Sequence, residues 1–275
     1  KGLVRADGAG SRVVAGRVMA GVDGEGRLDA LHGAQVDLTS DLYVGGNDQN
    51  LGNERADGLV TIRSDAALSV RDVFVGNVGK GEVFVSDGGV VESDEVVIGY
   101  QVPDSLGRAA ATITGPGSSW TLRQLSIGNP GPGDFVVSNG GLVVNVSTPG
   151  TPGQSNVNPT GIARVSGPFA RWQSHGLAVF GQLTIEAGGS VTSTFGSIAS
   201  TGSTSVTQGG SRWDIPQLSV AGTLAVANGG QVEVDGELTI EPTGVVNLDP
   251  GGTVRTGQLD NLGTVNANGG TLIVG

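Results

Sequence analysis

The chain of 275 residues carries 50 glycines, 11 prolines, no cysteine, and 26 acidic against 15 basic side chains, for a net charge of −11. Glycine at this density without a Gly-X-Y period excludes collagen, and a hydrophobic share of 37 % excludes a wholly disordered polymer. The missing cysteine removes disulfide scaffolds, thiolate zinc sites and iron–sulfur clusters, and the acidity argues against nucleic acid, which needs a clustered positive footprint.

Along the chain, the first unit, residues 4–58, opens with Gly8-Ala-Gly-Ser-Arg-Val13 and reaches the anchor Val18-Met19-Ala20-Gly21. Its His32, before Gly33, takes the corner position that Asp87 and Asn139 hold in later units. The second unit, 59–110, brings Phe74-Val75-Gly76, Asp87-Gly-Gly-Val90 and a second anchor, Val97-Ile98-Gly99, which divides it into two coils. The third, 111–161, adds tryptophan in Gly115-Pro-Gly-Ser-Ser-Trp120, then Ser126-Ile127-Gly128 and Asn139-Gly-Gly-Leu142. The fourth, 162–202, repeats the pattern with Trp172, Gly181 and Ala187-Gly-Gly-Ser190, and the fifth, 203–275, with Trp213, Gly222 and Asn228-Gly-Gly-Gln231. The anchors Gly21, Gly76, Gly128, Gly181 and Gly222 are evenly spaced until the last step, which is shorter, and Trp120, Trp172 and Trp213 shorten in the same place. Several phrases thus keep one register, the signature of a repeat architecture.

Between the corners apolar residues alternate, as in Leu125-x-Ile127, Leu183-x-Ile185 and Leu238-x-Ile240, which predicts short strands with one buried face. No amphipathic stripe of helical length interrupts them. The pattern predicts a single all-β domain over 1–275, a parallel β-solenoid of roughly 11 coils of about 24 residues, with little or no helix. Inserts at 45–57, 100–108 and 147–160 are expected to bulge outward; the last, rich in Pro, Ser and Asn, is expected to stay outside the ladder and to meet partners.

The run from Thr112 to Val143, with Gly-Pro-Gly-Ser-Ser-Trp, Leu-Ser-Ile-Gly and Phe-Val-Val-Ser-Asn-Gly-Gly-Leu-Val, resembles the repeats of bacterial autotransporter passenger regions and related secreted β-helix proteins. The likeness extends in degenerate form over residues 4–275, although the first two units lack the tryptophan. It implies an exported right-handed β-helix, extracellular or on the cell surface, serving as adhesin, stalk or coat.

Residues with chemical potential are few. Ser174 and His175 are neighbours in a strand and point to opposite faces, which argues against a nucleophile and its base. The carboxylate groups Glu92, Asp94 and Glu95, and Glu233, Asp235 and Glu237, read as solvated outer faces; the second group has no basic residue near it in sequence. No catalytic residue is assigned, and the chain is read as a non-enzyme, with a carbohydrate-active β-helix lyase or hydrolase as the alternative. Trp120, Trp172 and Trp213 either fill the interior or form a stripe on which sugars stack. Asp48, Glu54 and Asp57 offer oxygen ligands for one calcium ion, with no other cofactor expected.

The ends look like interior rungs. Leu3 and Val4 at one, and Leu272, Ile273 and Val274 at the other, have no capping device beside them, which suggests head-to-tail self-association. The reading is of an extracellular structural or adhesive module whose partners are its own copies, a cell surface or glycans. Neither nucleic acid nor membrane insertion within this chain is expected, since no apolar run approaches the length of about 18 that spanning requires.

Overall fold

The structure, a computed structural model, describes residues 1–22, 24–46, 56–77, 79–100, 108–147 and 152–275. Their regular elements are all strands. The first strand, Gly2–Asp7, turns a corner into Arg12–Ala15 and Val18–Ala20, and the chain then returns as Glu25–Leu31 to pair in parallel with the strand it began from. That circuit is one coil, and among the described residues twelve of them stack, building a first sheet of 12 strands and a second of 18. At about 4.8 Å per rung the stack is roughly 50 Å long. Every pairing among the described strands is parallel, as a solenoid requires, and the all-β expectation holds.

Parallel register stacks equivalent residues into columns, and these columns make the core. In the second sheet one inward column reads Val13, Val36, Leu68, Val91, Trp120, Val143, Trp172, Val191, Trp213, Val232, Val254 and Leu272. Each tryptophan lies between two valines, so large and small side chains alternate along the column and fill the interior at close-packed density. The same rule governs the first sheet, where Phe135 has Ala111 below it and Ala163 above it. The space so freed lets the Phe135 ring meet Trp172 edge-on, centroids 5.4 Å apart.

Corners are fixed by backbone conformation. His32, Asp87, Asn139, Ala187 and Asn228 have φ between 50° and 54°, and the glycine that follows each also has positive φ. Two left-handed residues in succession form a tight turn that favours Asn-Gly and Asp-Gly, and the corner role read for His32 is confirmed. A different constraint acts at Gly45, where a Cβ would stand 2.4 Å from the carbonyl oxygen of Lys80 in the next coil.

Coils one to six differ from coils seven to twelve. The early turns run from Gly2 to Gly26, from Gly26 to Gly58 and from Ala109 to Gly133, and each carries two strands in the second sheet. From Gly161–Ser166 onward the turns are shorter, running from Ile162 to Gln182, then to Ser203, then to Thr223. The two second-sheet strands there fuse into one long bent strand, as in Arg171–Val179 and Gln231–Ile240. Shorter late coils explain why there are twelve and not eleven.

The segment 147–160 also departs from expectation. Gln154–Val157 is a strand, paired with Gln124–Ile127 below and with Gly176–Val179 above. Pro152 and Pro159 flank this strand without entering it, so the ladder loses no donor to proline. Composition alone suggests a bulge over the whole segment, and pairing on both sides overrides it. Of the other expected inserts, 47–55 and 101–107 lie outside the described residues.

Candidate functional site

The outward face of the second sheet carries the most varied chemistry. In the early coils its two strands are separated by a short break, and charges line that break. Arg17 donates to Asp41 at 3.0 Å and Arg71 reaches the other oxygen of Asp41 at 2.6 Å, while Arg71 also bonds Asp72 at 2.9 Å. Hydrogen bonds to Asp72, and then Asp41, push the Arg71 guanidinium above its ordinary pKa. Asp94 and Arg123 continue the alternation at 3.9 Å. The backbone crosses the break unbroken, from Arg71 N to Ser40 O, Asp94 N to Arg71 O and Arg123 N to Asp94 O.

The late coils replace the break with a bend in the fused strand. Pro216, which lacks an N–H, sits where the ladder skips register between Ile215 and Gln217. At equivalent bends Ser174 Oγ donates to Gly176 O at 2.6 Å and Thr256 Oγ1 to Gln258 O at 2.6 Å, satisfying carbonyls that the bend turns away. The Phe195 ring covers Gly176, where a Cβ would lie 2.5 Å from it, and meets His175 edge-on at 5.4 Å. These bends line an open groove of about 580 Å³ that includes Gln173, His175, Thr192, Thr194, Asp214 and Asp235.

Carboxylates in a lateral groove would suit lyase chemistry on a uronate if a free cation stood beside them to hold the substrate carboxylate. Arg212 is instead hydrogen-bonded to Asp214 and lies 3.7 Å from Glu233, which Arg255 approaches to 3.5 Å from the other side. The Asp214 hydrogen bond, with help from Glu233 and Asp235, raises the Arg212 pKa against the cost of desolvation. The sequence reading that no basic residue lies near Glu233, Asp235 and Glu237 is therefore corrected. Register delivers Arg212 and Arg255 from the coils on either side, each a full turn of the chain away. The outward placement of the three carboxylates themselves agrees with the alternation, since Val232, Val234 and Leu238 are buried.

A second groove, of about 490 Å³, opens on the other half of the same face in coils three to six. At one end Tyr43 and Phe74 stack with centroids 5.0 Å apart, and Tyr100 tilts onto Phe74 at 5.2 Å. Outward columns of Glu95, Gln124 and Gln154, and of Val97, Ser126 and Asn156, form its floor, with Asn129 at the rim.

The tryptophans do not stack sugars. Trp120, Trp172 and Trp213 are each 0 % exposed, so the stripe expectation is corrected in favour of interior filling. Each indole finds an acceptor just past its column neighbour one coil below: Ser93 Oγ at 3.0 Å, Asn145 Oδ1 at 3.2 Å and Ser193 Oγ at 3.1 Å. Those acceptors were missed in the sequence, although a polar residue two positions after Val91, Val143 and Val191 was the available signal. Of the calcium residues, Asp48 and Glu54 lie outside the described residues, and Asp57 stands in the ladder beside Lys80. Among the described residues no group of three or more His, Cys, Asp or Glu is placed to hold a metal, and no helix is long and apolar enough to cross a membrane. Glu92 faces outward between Ser69 and Thr121. Of the terminal residues, Leu3, Val4 and Val274 are exposed, whereas Leu272 packs on the core and Ile273 is half-buried.

No known protein family matches the chain, and no curated protein does. Among solved structures it is similar to the crystal structure of a TibC-catalysed hyper-glycosylated TibA fragment, with 18 % identity over 100 % of both chains and a TM-score of 0.34. The solenoid assignment rests on the strand registers themselves.

Proposed function

We propose that the chain is an extracellular structural and adhesive module that displays the outer face of its second sheet to a surface. The observation that supports this most is the condition of its charged groups. Arg17, Arg71, Arg212 and Arg255 are engaged with carboxylates of adjacent coils, which ties rung to rung and leaves the grooves lined largely by amides, hydroxyls and rings. Such a face binds by extended contact, and a ladder bonded from coil to coil resists extension along its axis. In the finer form of this reading, exposed Leu3, Val4 and Val274 meet in head-to-tail contacts between copies.

Beads coated with the full chain, passed over bacterial and animal cell layers under flow, test the adhesive reading. Retention above that of beads coated with an unrelated acidic protein is the expected result, and equal retention on every layer would contradict it. Head-to-tail contact is tested by sedimentation over a hundredfold concentration range. Association that Val274→Lys abolishes supports it, and a monomer throughout refutes it.

A further inference from the structure

We infer that the groove over coils three to six is a binding site for a neutral oligosaccharide, its sugar rings seated against Tyr100 and Phe74 and its hydroxyls held by the amide columns. This deepens the adhesive reading and rests on it for biological purpose, though the chemistry of the groove stands alone.

The first observation is the ring pillar. Tyr43 is nearly buried beneath Arg17, whose guanidinium carbon lies 5.2 Å from the ring centroid. Phe74 stacks on Tyr43 at an interplanar angle of 17°, and Tyr100 closes the pillar at 52°. Phe74 and Tyr100 remain partly exposed at the groove. Rings held this firmly present an apolar face without further ordering cost, and the C–H face of a pyranose is the complementary surface.

The second observation is a lattice of planar polar groups left unengaged by the protein around them. Glu95, Gln124, Asn129, Gln154 and Asn156 make no side-chain hydrogen bond among the described residues, in contrast to the paired charges of the break beside them. Gln124 and Gln154 are register partners, as are Ser126 and Asn156. Partners stand about 4.8 Å apart along the axis, and the two columns about 6.6 Å apart along the strand. That mesh is of the order of one sugar ring. Each amide offers a donor pair and an acceptor, the combination that vicinal hydroxyls satisfy.

Charge selects among ligands. Among the described residues the groove is lined by one carboxylate and no cation, on a chain of net charge −11, so uronates, sialylated sugars and phosphates are repelled. An apolar peptide would leave the amides unpaired at a cost, and strand addition needs a sheet edge, not a sheet face. A groove of about 490 Å³ is within the ordinary range for small ligands.

The test is an array of neutral hexose and N-acetylhexosamine oligosaccharides, with uronate and sialylated chains alongside, probed with the full protein and titrated by calorimetry for the best binder. Tyr100→Ala and Gln154→Ala should each weaken Kd by about tenfold or more, while Thr194→Ala in the other groove should leave it unchanged. All variants should keep the wild-type circular dichroism and Tm within a few degrees. Binding confined to anionic chains, no binding at all, or binding indifferent to Tyr100 and Gln154 would overturn the inference. Array binding without bead adhesion would refute the adhesive reading and leave the site standing. Adhesion unchanged in Tyr100→Ala and Gln154→Ala, with no array binding, would do the reverse.

Discussion

The two halves of the solenoid solve one problem in different ways. Both must carry the chain across the outer face of the second sheet without losing backbone hydrogen bonds. The early coils stop the strand and close the gap with an alternating series, Arg17, Asp41, Arg71, Asp94 and Arg123. The late coils run through it as a single bent strand, with Ser174 and Thr256 hydroxyls taking the displaced carbonyls. The first solution spends more residues per turn and accommodates insertions. The second is compact, one strand of nine or ten residues taking the place of two. The difference teaches that a solenoid tolerates variable coil length as long as column register survives.

The largest expected effect comes from the core column that both halves share. Trp172→Ala should cost about 3–5 kcal/mol, because it leaves a cavity between Val143 and Val191 and strands Asn145 Oδ1. Val36→Ala, the equivalent change in an early coil, should cost roughly 2 kcal/mol or less. Urea unfolding of both variants checks the ordering, and equal losses would remove the distinction in packing.

Next comes the charge series. Asp41→Ala removes a nearly buried carboxylate held by two half-exposed arginines and should cost about 1–2 kcal/mol, a loss that shrinks in concentrated salt. His175→Ala, at the corresponding bend of a late coil, should be nearly salt-independent. Denaturation of both at low and high salt separates the two mechanisms.

A smaller and opposite effect is expected at the corners. Ala187 holds φ 52° where most of the other corners use Asn or Asp, so Ala187→Asn should stabilise the fold by up to about 1 kcal/mol. A rise in Tm checks it, and a fall would show that a neighbouring contact outweighs the strain.

The smallest effect is electrostatic. His32, and then Arg5, holds the Asp7 carboxyl below its ordinary pKa. A depressed folded pKa means this contribution is fully present above the usual aspartate value, about 4, and is lost as pH falls through the lower folded value. The Tm difference between wild type and Asp7→Asn should therefore be present above about pH 4 and vanish in strong acid. A difference that grew on acidification would have the wrong sign.

Much of this was legible in the sequence, and the exceptions share a cause. The tryptophan column could be read because Trp120, Trp172 and Trp213 recur every second coil with corner phrases to fix their phase. The bracketing of Glu233 by Arg212 and Arg255 could not, since its partners sit a full coil away and coil length varies. The aromatic and amide groove was hidden for the same reason. No local phrase joins Phe74 to Glu95, Gln124 and Gln154, which come from successive coils of unequal length. Gln154–Val157 was misjudged because its flanking prolines dominate the local composition, whereas pairing on both sides decides its conformation.

The central claim is that both halves form one uninterrupted ladder whose outer face stays fixed under load. Hydrogen exchange with mass spectrometry over the whole chain tests this most directly. The account predicts slow exchange for the amides of Arg71, Asp94 and Arg123 across the early breaks and for 154–157 and 176–179 at the junction. Fast exchange at 154–157, with the two halves opening as separate units, would contradict it.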